Sequence, residues 1–251
     1  MKYVIITGAS RGLGEALTRQ LLQEGHHLFC ISRRKNETLL EEAQKKNVAL
    51  EYFEYDLQNL DGLEKLMEHI FDQIDLSRAK TIALINNAGI VEPVKPIEKC
   101  PTDELTANIH VNLLAPMVLT SLFVKLADRF NGDKRIMNIS SGAGKRAVHG
   151  WSAYCTSKAG LDLFTRCVGL EQEGQTNPVK VLSVAPGIID TDMQTNIRST
   201  QQEDFPDVER FIEYKVQGQL MSPAFVAEKL ICLFFEEQWP QGGVVDIRDY
   251  L

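Results

Sequence analysis

Residues 3–14 have the sequence YVIITGASRGLG, in which an apolar run leads directly into a turn that contains three glycines. The β-branched and apolar side chains of residues 3–7 predict a buried strand. The apolar residues that follow are spaced as on one face of a helix, at Leu13, Ala16, Leu17 and Leu21. This spacing predicts a helix over residues 12–24 that Gly25 ends. A strand, a glycine turn and a helix in this order begin an alternating α/β fold.

The same alternation of short β-branched runs and longer amphipathic runs continues along the chain. Further strands are predicted at residues 27–32, 50–55, 81–86, 135–140, 179–185 and 244–247. Helices are predicted at residues 37–46, 60–74, 102–129, 151–173 and 222–236. This alternation predicts a doubly wound Rossmann fold, with a seven-stranded parallel sheet flanked by helices. Because no low-complexity linker or internal repeat interrupts the pattern, we expect a single domain over residues 1–251.

The connection over residues 187–221 departs from this alternation. It is long, polar and irregular, and it contains aromatic side chains at Phe205, Phe211 and Tyr214. A long connection within a compact domain is usually functional or mobile. We therefore expect residues 187–221 to form a lid over a site, inserted before the last helix.

The composition excludes several classes of protein. With 44% hydrophobic and 24% charged residues, the chain has enough apolar material for a sizeable core. A net charge of −7 argues against a surface that neutralises nucleic-acid phosphates or adheres to anionic lipid. The sequence has no charged leader with a cleavage site and no apolar run of about 18 residues, so we expect neither secretion nor membrane insertion.

The five cysteines are widely scattered and include no CxxC spacing. This pattern fits reduced thiols better than a disulfide framework or a zinc site, so we expect no metal and a cytoplasmic location. Cys155 adjoins Tyr154, a candidate catalytic residue, but neighbours along a helix point in different directions. We therefore expect a buried inert thiol at Cys155 rather than a functional one.

The glycine turn after the first predicted strand has the features of a phosphate-binding loop. Its glycines let the backbone turn tightly and approach a pyrophosphate at the N-terminus of the following helix. The spacing is GxxxGxG rather than the common GxGxxG, and a chance glycine-rich turn is the alternative. The predicted loop contacts are Gly8, Ser10, Arg11, Gly12, Leu13 and Gly14.

The residues after the second predicted strand favour NADPH over NADH. An NAD site usually has an acidic residue about 20 residues after the glycine loop, to hold the ribose hydroxyls. Here the strand ends in Ser32, Arg33 and Arg34 instead. Two guanidinium groups, together with Arg11, could bind a 2′-phosphate that an acidic residue would repel. The alternative is a pair of solvated arginines that begin a helix.

Tyr154 and Lys158 are a candidate catalytic pair. Four residues apart in a helix, they lie on one face, and a nearby ammonium favours the phenolate over a phenol whose ordinary pKa is about 10. Such a phenol can protonate the alkoxide that hydride transfer to a carbonyl leaves. A lone YxxxK spacing also occurs by chance on helix surfaces.

In the company of other motifs, this pair makes the chain resemble the short-chain dehydrogenase/reductase family over essentially its whole length. The motifs that carry the resemblance occur in order along the chain. They are the TGxxxGxG loop at 7–14, Asp56-Leu57, Asn86-Asn87-Ala88-Gly89, Asn112, Ser141 ahead of YxxxK, and Pro186-Gly187.

The resemblance implies a role for each of four side chains. Ser141 hydrogen-bonds the substrate carbonyl and Tyr154 protonates it, while Lys158 binds the nicotinamide ribose and lowers the phenol pKa. Asn112 anchors a proton-relay water, or is merely a satisfied polar residue in a helix. Ser140 competes with Ser141, but adjacent strand residues face opposite sides, and the family spacing selects Ser141. Further cofactor contacts are implied at Asp56, Leu57, Asn87, Ala88, Gly89, Pro186, Gly187, Ile188, Ile189, Thr191 and Met193.

Within the family, residues 185–194 and 243–247 are similar to those of sepiapterin reductases and bacterial benzil reductases. This likeness implies NADPH-dependent reduction of one carbonyl of an aromatic 1,2-diketone, such as benzil to (S)-benzoin, with a pterin side chain as the alternative substrate. A reductase of carrier-bound 3-ketoacyl chains and a non-enzymatic NADP sensor are less favoured. A homodimer through the helices at 102–129 and 151–173 is also implied.

The expected substrate residues are mainly aromatic. A flat apolar slot could be lined by Trp151, Phe205, Phe211, Tyr214 and Met221, although aromatic residues in a lid can also be core. Asp246 could hold a polar substrate such as a pterin, by analogy with sepiapterin reductases. An aspartate at the end of a strand is also a common turn former. Thr191 could contact the nicotinamide carboxamide or cap the next helix.

Overall fold

The computed structural model describes residues 1–237 and 240–250, and within them it contains one seven-stranded parallel sheet. The strands are β1 Lys2–Thr7, β2 His26–Ser32, β3 Ala49–Glu54, β4 Thr81–Asn86, β5 Asp133–Ile139, β6 Lys180–Ala185 and β7 Gly243–Asp246. Their order in the sheet is β3-β2-β1-β4-β5-β6-β7. The order reverses between β1 and β4, where open α/β sheets bind ligands beyond the carboxyl ends of the strands. The predicted doubly wound fold is confirmed.

Helices cover both faces of this sheet. They are α1 Gly12–Leu21, α2 Glu37–Lys45, α3 Leu63–Asp72, α4 Thr102–Ile109, α5 Ala115–Leu126, α6 Ser152–Glu173, α7 Asp192–Arg198, α8 Val208–Val216 and α9 Pro223–Phe235. A single π-helical turn, His110–Leu114, joins α4 to α5, so the helix predicted at 102–129 is continuous but not uniformly α-helical. Such π-turns within α-helices are frequently found at functional sites.

The sheet separates two hydrophobic layers. Because side chains alternate along a strand, Val4 and Ile6 of β1 pack into one layer, and Tyr3 and Ile5 pack into the other. The first layer is completed mainly by α1 and α9, and the second by α3 and α5. Burial on both faces explains why β1 has a continuous apolar sequence rather than an alternating one.

The joined helix Thr102–Leu126 was not expected to meet the criteria for a membrane span, but by length and composition it does. It has 25 residues and a mean hydropathy of 1.6, and 44% of its apolar window is buried within the fold. Buried core helices pass the same test, and the Leu119 and Phe123 side chains of this helix are fully buried against the sheet layer. The sequence predicted this helix but not a candidate membrane span, because His110, Asn112 and Lys125 interrupt its apolar run.

The segment 187–221 is more regular than the sequence indicated. It contains α7 and α8, whereas we expected an irregular connection. These helices have only 7 and 9 residues, and the helical spacing of Val208, Phe211 and Ile212 on α8 was overlooked. At its base, Met221 donates its backbone N–H to Ile188 O at 3.0 Å, and Met221 O accepts from Asp190 N at 2.9 Å. Residues 187–221 therefore form a closed loop whose two ends are joined.

Candidate active site

A cavity of about 1230 Å³ opens at the carboxyl ends of the strands, where the strand order reverses. Residues that follow each of the seven strands contribute to its wall. The wall includes every cofactor contact predicted from the sequence: Gly8, Ser10, Arg11, Gly12, Leu13, Gly14, Arg33, Arg34, Asp56, Leu57, Asn87, Ala88, Gly89, Tyr154, Lys158, Pro186, Gly187, Ile188, Ile189, Thr191 and Met193. The structure therefore brings these scattered residues into one site.

The glycine turn has a backbone that only glycine fits well. Gly8 and Gly12 have φ angles of +67° and +57°, in the region that favours glycine. A Cβ atom on Gly14 would lie 2.1 Å from the Gly8 carbonyl oxygen. At the start of α1, Arg11 makes no side-chain cap, so the first amides of the helix are free to bind an anion. This turn is shaped to hold the pyrophosphate of a dinucleotide.

Thr7 ties this turn to the end of β4, a role that sequence reasoning did not assign. Its hydroxyl oxygen accepts from the backbone N–H groups of Asn87 and Ala88, both at 3.0 Å. In addition, Asn87 Nδ2 donates to the backbone carbonyl oxygen of Thr7 at 3.0 Å. The threonine of the TG motif was the available signal, because it precedes the first glycine. These bonds fix the two loops on either side of the switch in strand order.

The three arginines near the adenine end of the cavity differ in their contacts. Arg11 Nη1 lies 2.8 Å from Asp192 Oδ2, and both side chains are exposed. Arg33 and Arg34 are also exposed, and within residues 1–237 and 240–250 neither guanidinium has a hydrogen-bond or ion-pair partner. The predicted anion site therefore has two unengaged cations and a third, Arg11, that is held by the first turn of α7.

Helix α6 turns Tyr154 and Lys158 onto the same buried face, where they are 7% and 3% exposed. The Lys158 ammonium lies 5.9 Å from the centre of the Tyr154 ring and donates to Ile139 O at 2.8 Å. Half-buried Ser141 follows β5, and its hydroxyl accepts from Ala143 N at 3.2 Å. Three of the four predicted catalytic side chains, Ser141, Tyr154 and Lys158, thus share the cavity wall.

The protonation of this group is set mainly by burial. Burial raises the pKa of Tyr154, and the neighbouring Ser141 hydroxyl offsets part of that rise. Burial also lowers the pKa of Lys158 to about 8, while the Asp162 carboxylate opposes the change. Desolvation dominates at both groups, so the Tyr154 pKa lies above its ordinary value, and the lowering of that pKa by Lys158 that the resemblance implies stays a prediction.

The two candidate serines are distinguished by exposure. Ser140 is 4% exposed, and its hydroxyl has no hydrogen-bond partner among the described residues. Ser141 is more accessible from the cavity, which agrees with the choice made from the sequence. Its role toward a substrate stays a prediction.

Asn112 lies in the π-turn, fully buried, and is the one predicted catalytic residue that does not line the cavity. Its Oδ1 accepts from Ile90 N at 2.9 Å and its Nδ2 donates to Ile90 O at 2.8 Å. Nδ2 also contacts Asn108 Oδ1 at 3.0 Å and Ser157 Oγ at 3.3 Å. The side chain thus holds the backbone just after the Asn86–Gly89 turn, and the relay-water role stays a prediction.

Aromatic side chains form the substrate end of the cavity. We call Trp151, Phe211 and Tyr214 the aromatic wall, since all three line it. The Trp151 ring meets the Tyr154 ring edge-on at 5.4 Å. Two expected lining residues are elsewhere. Phe205 is fully buried and stacks behind Trp151 at 5.1 Å, and Met221 packs beside Gly187 against the α9 layer.

Asp246 also lines the cavity, but its carboxylate is already paired. Arg248 donates to both oxygens, with Nε 2.8 Å from Oδ1 and Nη2 2.7 Å from Oδ2. This pairing, more than burial, sets the direction of the Asp246 pKa, which lies below its usual value. The backbone N–H of Arg248 also donates to Oδ1 at 3.0 Å, so Asp246 is a turn former as well as a cavity residue.

Thr191 occupies the N-cap position of α7, but its hydroxyl makes no cap bond. A Cβ atom on Gly12 would lie 3.3 Å from the Thr191 methyl carbon. The free hydroxyl and this closeness to the glycine turn favour the cofactor role over the capping role that the sequence left open. No cluster of three or more potential metal ligands occurs in the described part of the chain.

Known proteins with similar sequences and structures fit this arrangement. A family model described as short chain dehydrogenase matches residues 2–202. A Bacillus cereus protein named Benzil reductase ((S)-benzoin forming) is 47% identical over 99% of this chain and 100% of its own length. Sepiapterin reductase of Meriones unguiculatus is 31% identical over 98% of this chain and 95% of its own length. The crystal structure of KRED1-Pglu enzyme has a TM-score of 0.82 and 28% identity, covering 98% of this chain and 100% of that one.

Proposed function

The chain belongs to the short-chain dehydrogenase/reductase family, and we propose that it uses NADPH to reduce one carbonyl of an aromatic 1,2-diketone. Family membership confirms the resemblance drawn from the motifs, and the chain is an oxidoreductase that acts on carbonyl or CH–OH groups. The observation that carries the proposal is that the buried Tyr154 shares one cavity with the glycine turn and the aromatic wall. Reduction of benzil to (S)-benzoin is the proposed example, after the name of the Bacillus cereus relative.

A nicotinamide dinucleotide fits the glycine end of this cavity. The turn at Gly8, Gly12 and Gly14 suits the pyrophosphate, and Arg33 and Arg34 offer unengaged guanidinium groups to a 2′-phosphate. When bound, the reduced nicotinamide supplies the hydride. The absence of an acidic side chain at the end of β2 supports NADPH over NADH.

The protein's own groups supply the proton and the orientation. Tyr154 donates its phenolic proton to the carbonyl oxygen, and Ser141 donates a hydrogen bond to that oxygen. A phenol whose ordinary pKa is about 10 holds its proton at neutral pH, which is the form that a proton donor needs, and burial raises the Tyr154 pKa further. Lys158 is held by Ile139 O one helical turn from Tyr154, where it can contact the nicotinamide ribose. Its positive charge can also stabilise the phenolate that Tyr154 becomes after it gives up its proton.

The aromatic wall favours a flat aryl substrate. Trp151 and Phe211 are 7% and 8% exposed, so each presents a limited apolar surface to the cavity beside Tyr154. We propose that residues 187–221, which carry Phe211 and Tyr214 on α8, act as a lid that excludes water from the reacting carbonyl. A pterin side chain is the second candidate substrate, since sepiapterin reductases are relatives and Asp246 lines the cavity. Its binding to Asp246 would compete with Arg248.

We further propose a cytoplasmic homodimer. Among the described residues all five cysteines are free thiols, which supports a reducing compartment. Leu163 and Leu170 on α6 are 63% and 69% exposed, and a second copy could cover them.

The test of the proton donor is Tyr154→Phe, with exposed Tyr250→Phe as the matched control. We expect Tyr154→Phe to bind NADPH, measured by its fluorescence, but to reduce benzil at least about a hundredfold more slowly, the usual effect of a lost general acid. Tyr250→Phe should keep wild-type turnover. Undiminished turnover in Tyr154→Phe would remove this residue as the acid.

The test of cofactor choice compares kcat/KM for NADPH and NADH on the same diketone. We expect a strong preference for NADPH, and a double variant Arg33→Ser/Arg34→Ser should lose about ten- to a hundredfold of it, since each charged contact to phosphate contributes about 1.5–3 kcal/mol when well formed and less when exposed. Exposed Arg129, outside the cavity, provides the control variant Arg129→Gln. Equal efficiencies with the two cofactors in the wild type would contradict the proposal.

A further inference from the structure

Three cations on the cavity wall form no ion pair with any described residue: Lys145, Arg146 and Arg210. We call them the basic rim. Lys145 and Arg146 end the short 3-10 turn that follows Ser141, and Arg210 lies on α8 of the lid. All three side chains are exposed, and within residues 1–237 and 240–250 none forms a hydrogen bond or ion pair. The Arg210 guanidinium lies over the Tyr214 ring, 5.4 Å from its centre.

Three of the four acids on the same side of the cavity are paired with other cations, so they do not neutralise the basic rim. Asp246 is bound by Arg248, Asp190 by Lys215 and Asp192 by Arg11. Glu92 accepts from the neutral amide of Asn196 and is the one acid of these four without a cation partner among the described residues. A locally positive wall in a chain of net charge −7 is therefore a specific feature of this cavity rather than of the whole surface.

The basic rim is separate from the arginines proposed for the cofactor phosphate. Arg33 follows β2, whereas Lys145 follows β5, which is three strands away in the sheet. At about 4.8 Å per strand, the two strand ends are about 14 Å apart. A 2′-phosphate at Arg33 and Arg34 therefore does not occupy the basic rim.

The basic rim instead adjoins the aromatic wall. Arg210 contacts Tyr214, which belongs to that wall, and Lys145 is close enough to Asp246 to help lower the pKa of its carboxyl. Lys145 also lies only four residues after Ser141, the residue proposed to hold the substrate carbonyl. The cations therefore surround the end of the cavity where the part of a substrate remote from its reacting carbonyl would lie.

We propose that the basic rim binds a carboxylate on the substrate, so that the preferred substrates are aryl 1,2-dicarbonyl compounds that carry this anionic group away from the reacting carbonyl. This inference rests on the proposed reductase function. Unpaired cations in a cleft concentrate anions there, and a guanidinium matches the geometry of a carboxylate. Neutral benzil would fill the aromatic wall but leave the basic rim unused.

The experiment compares 1-phenyl-1,2-propanedione with its 4-carboxylate on the ring, by NADPH oxidation with the full-length protein. The measured quantity is kcat/KM for the carboxylate divided by kcat/KM for the neutral parent. We expect this ratio to exceed one in the wild type and to fall as salt is added. Lys145→Gln and Arg210→Gln should each lower it about three- to fivefold, and the double variant about tenfold, mainly through KM.

Two further variants separate charge from packing. Arg210→Lys should keep most of the ratio, because it keeps the charge, whereas loss of the ratio there would assign Arg210 a packing role against Tyr214. Arg129→Gln, outside the cavity, should leave the ratio unchanged. A wild-type ratio of one or less, or an unchanged ratio in the double variant, overturns the proposal that the basic rim binds a substrate carboxylate. If neither diketone oxidises NADPH, the proposed reductase function itself fails.

Discussion

Replacing Lys158 by methionine should change how the stability of the protein depends on pH. The ammonium is 3% exposed and donates to Ile139 O at 2.8 Å. Burial lowers the pKa of Lys158 from 10.5 to about 8, although Asp162 opposes the change. Folding therefore favours the neutral amine of Lys158. At a pH where the folded and the unfolded chain both hold the Lys158 proton, the buried ammonium lowers the free energy of unfolding of the wild type.

The magnitude follows from the two pKa values. Their difference, at about 1.36 kcal/mol for each pH unit, corresponds to about 3 kcal/mol. Between pH 8 and 10.5 the unfolded chain binds one proton more than the folded chain, so wild-type stability rises with pH by this amount. Methionine takes up no proton. It leaves the buried Ile139 carbonyl without its donor at a cost of about 1–3 kcal/mol, but that cost is the same at every pH.

The assay is urea unfolding of wild type and Lys158→Met at pH 7, 8, 9 and 10, without nucleotide. The free energy of unfolding of the wild type minus that of Lys158→Met should rise by about 2–3 kcal/mol between pH 7 and 10. The other lysines and the tyrosines titrate equally in both proteins, so their contributions cancel in this difference. Lys65→Met, at an exposed lysine of α3, is the control and should give a flat difference. Parallel stability curves for wild type and Lys158→Met would refute a desolvated ammonium.

Two other substitutions test packing. Gly14→Ala places a Cβ atom 2.1 Å from Gly8 O. We expect this variant to lose at least about 1–3 kcal/mol of unfolding free energy, measured with urea, and to bind NADPH more weakly. The control Gly174→Ala, whose Cβ atom has no atom within 4 Å, should show neither effect. Equal stability of the two glycine variants would argue against the tight turn. Phe205→Ala removes the ring that stacks behind Trp151, so it should cost about 3–5 kcal/mol and slow benzil reduction, while Phe225→Ala, at a 41% exposed ring, should cost little. Full benzil activity in a folded Phe205→Ala protein would show that Trp151 needs no support.

The layout of the sheet could be predicted because its signal is local. Residues 3–6 are apolar and buried on both faces of the sheet, and β1, β2 and β4 end at the polar residues Thr7, Ser32 and Asn86. Boundaries were less exact. The first helix ends at Leu21 rather than at residue 24, because the chain already turns at Leu22 before reaching Gly25.

The contacts of the site could not be predicted in the same way, because they depend on partners far along the chain. Asn112 satisfies its amide on Ile90, and Arg11 binds Asp192, which is 181 residues away. Nothing local in the sequence marks either pair. The direction of the Tyr154 pKa could not be predicted for a related reason. Spacing along α6 reveals its ammonium neighbour, whereas the burial that raises the pKa involves residues distant in sequence, such as Val91, Phe205 and Phe211.

The Arg11–Asp192 pair links the two functions assigned to this cavity. It joins the glycine turn to the first turn of α7 in the lid, and its side chains are 66% and 68% exposed. A pair this exposed contributes only about 0–1 kcal/mol, so a phosphate that takes Arg11 from Asp192 gains a charge-assisted contact at little cost. In the proposed complex the cofactor phosphate would compete with Asp192 of α7 for Arg11, while Arg210 of α8 would contact a substrate anion. Because both helices belong to residues 187–221, we expect the two binding events to influence each other through this segment.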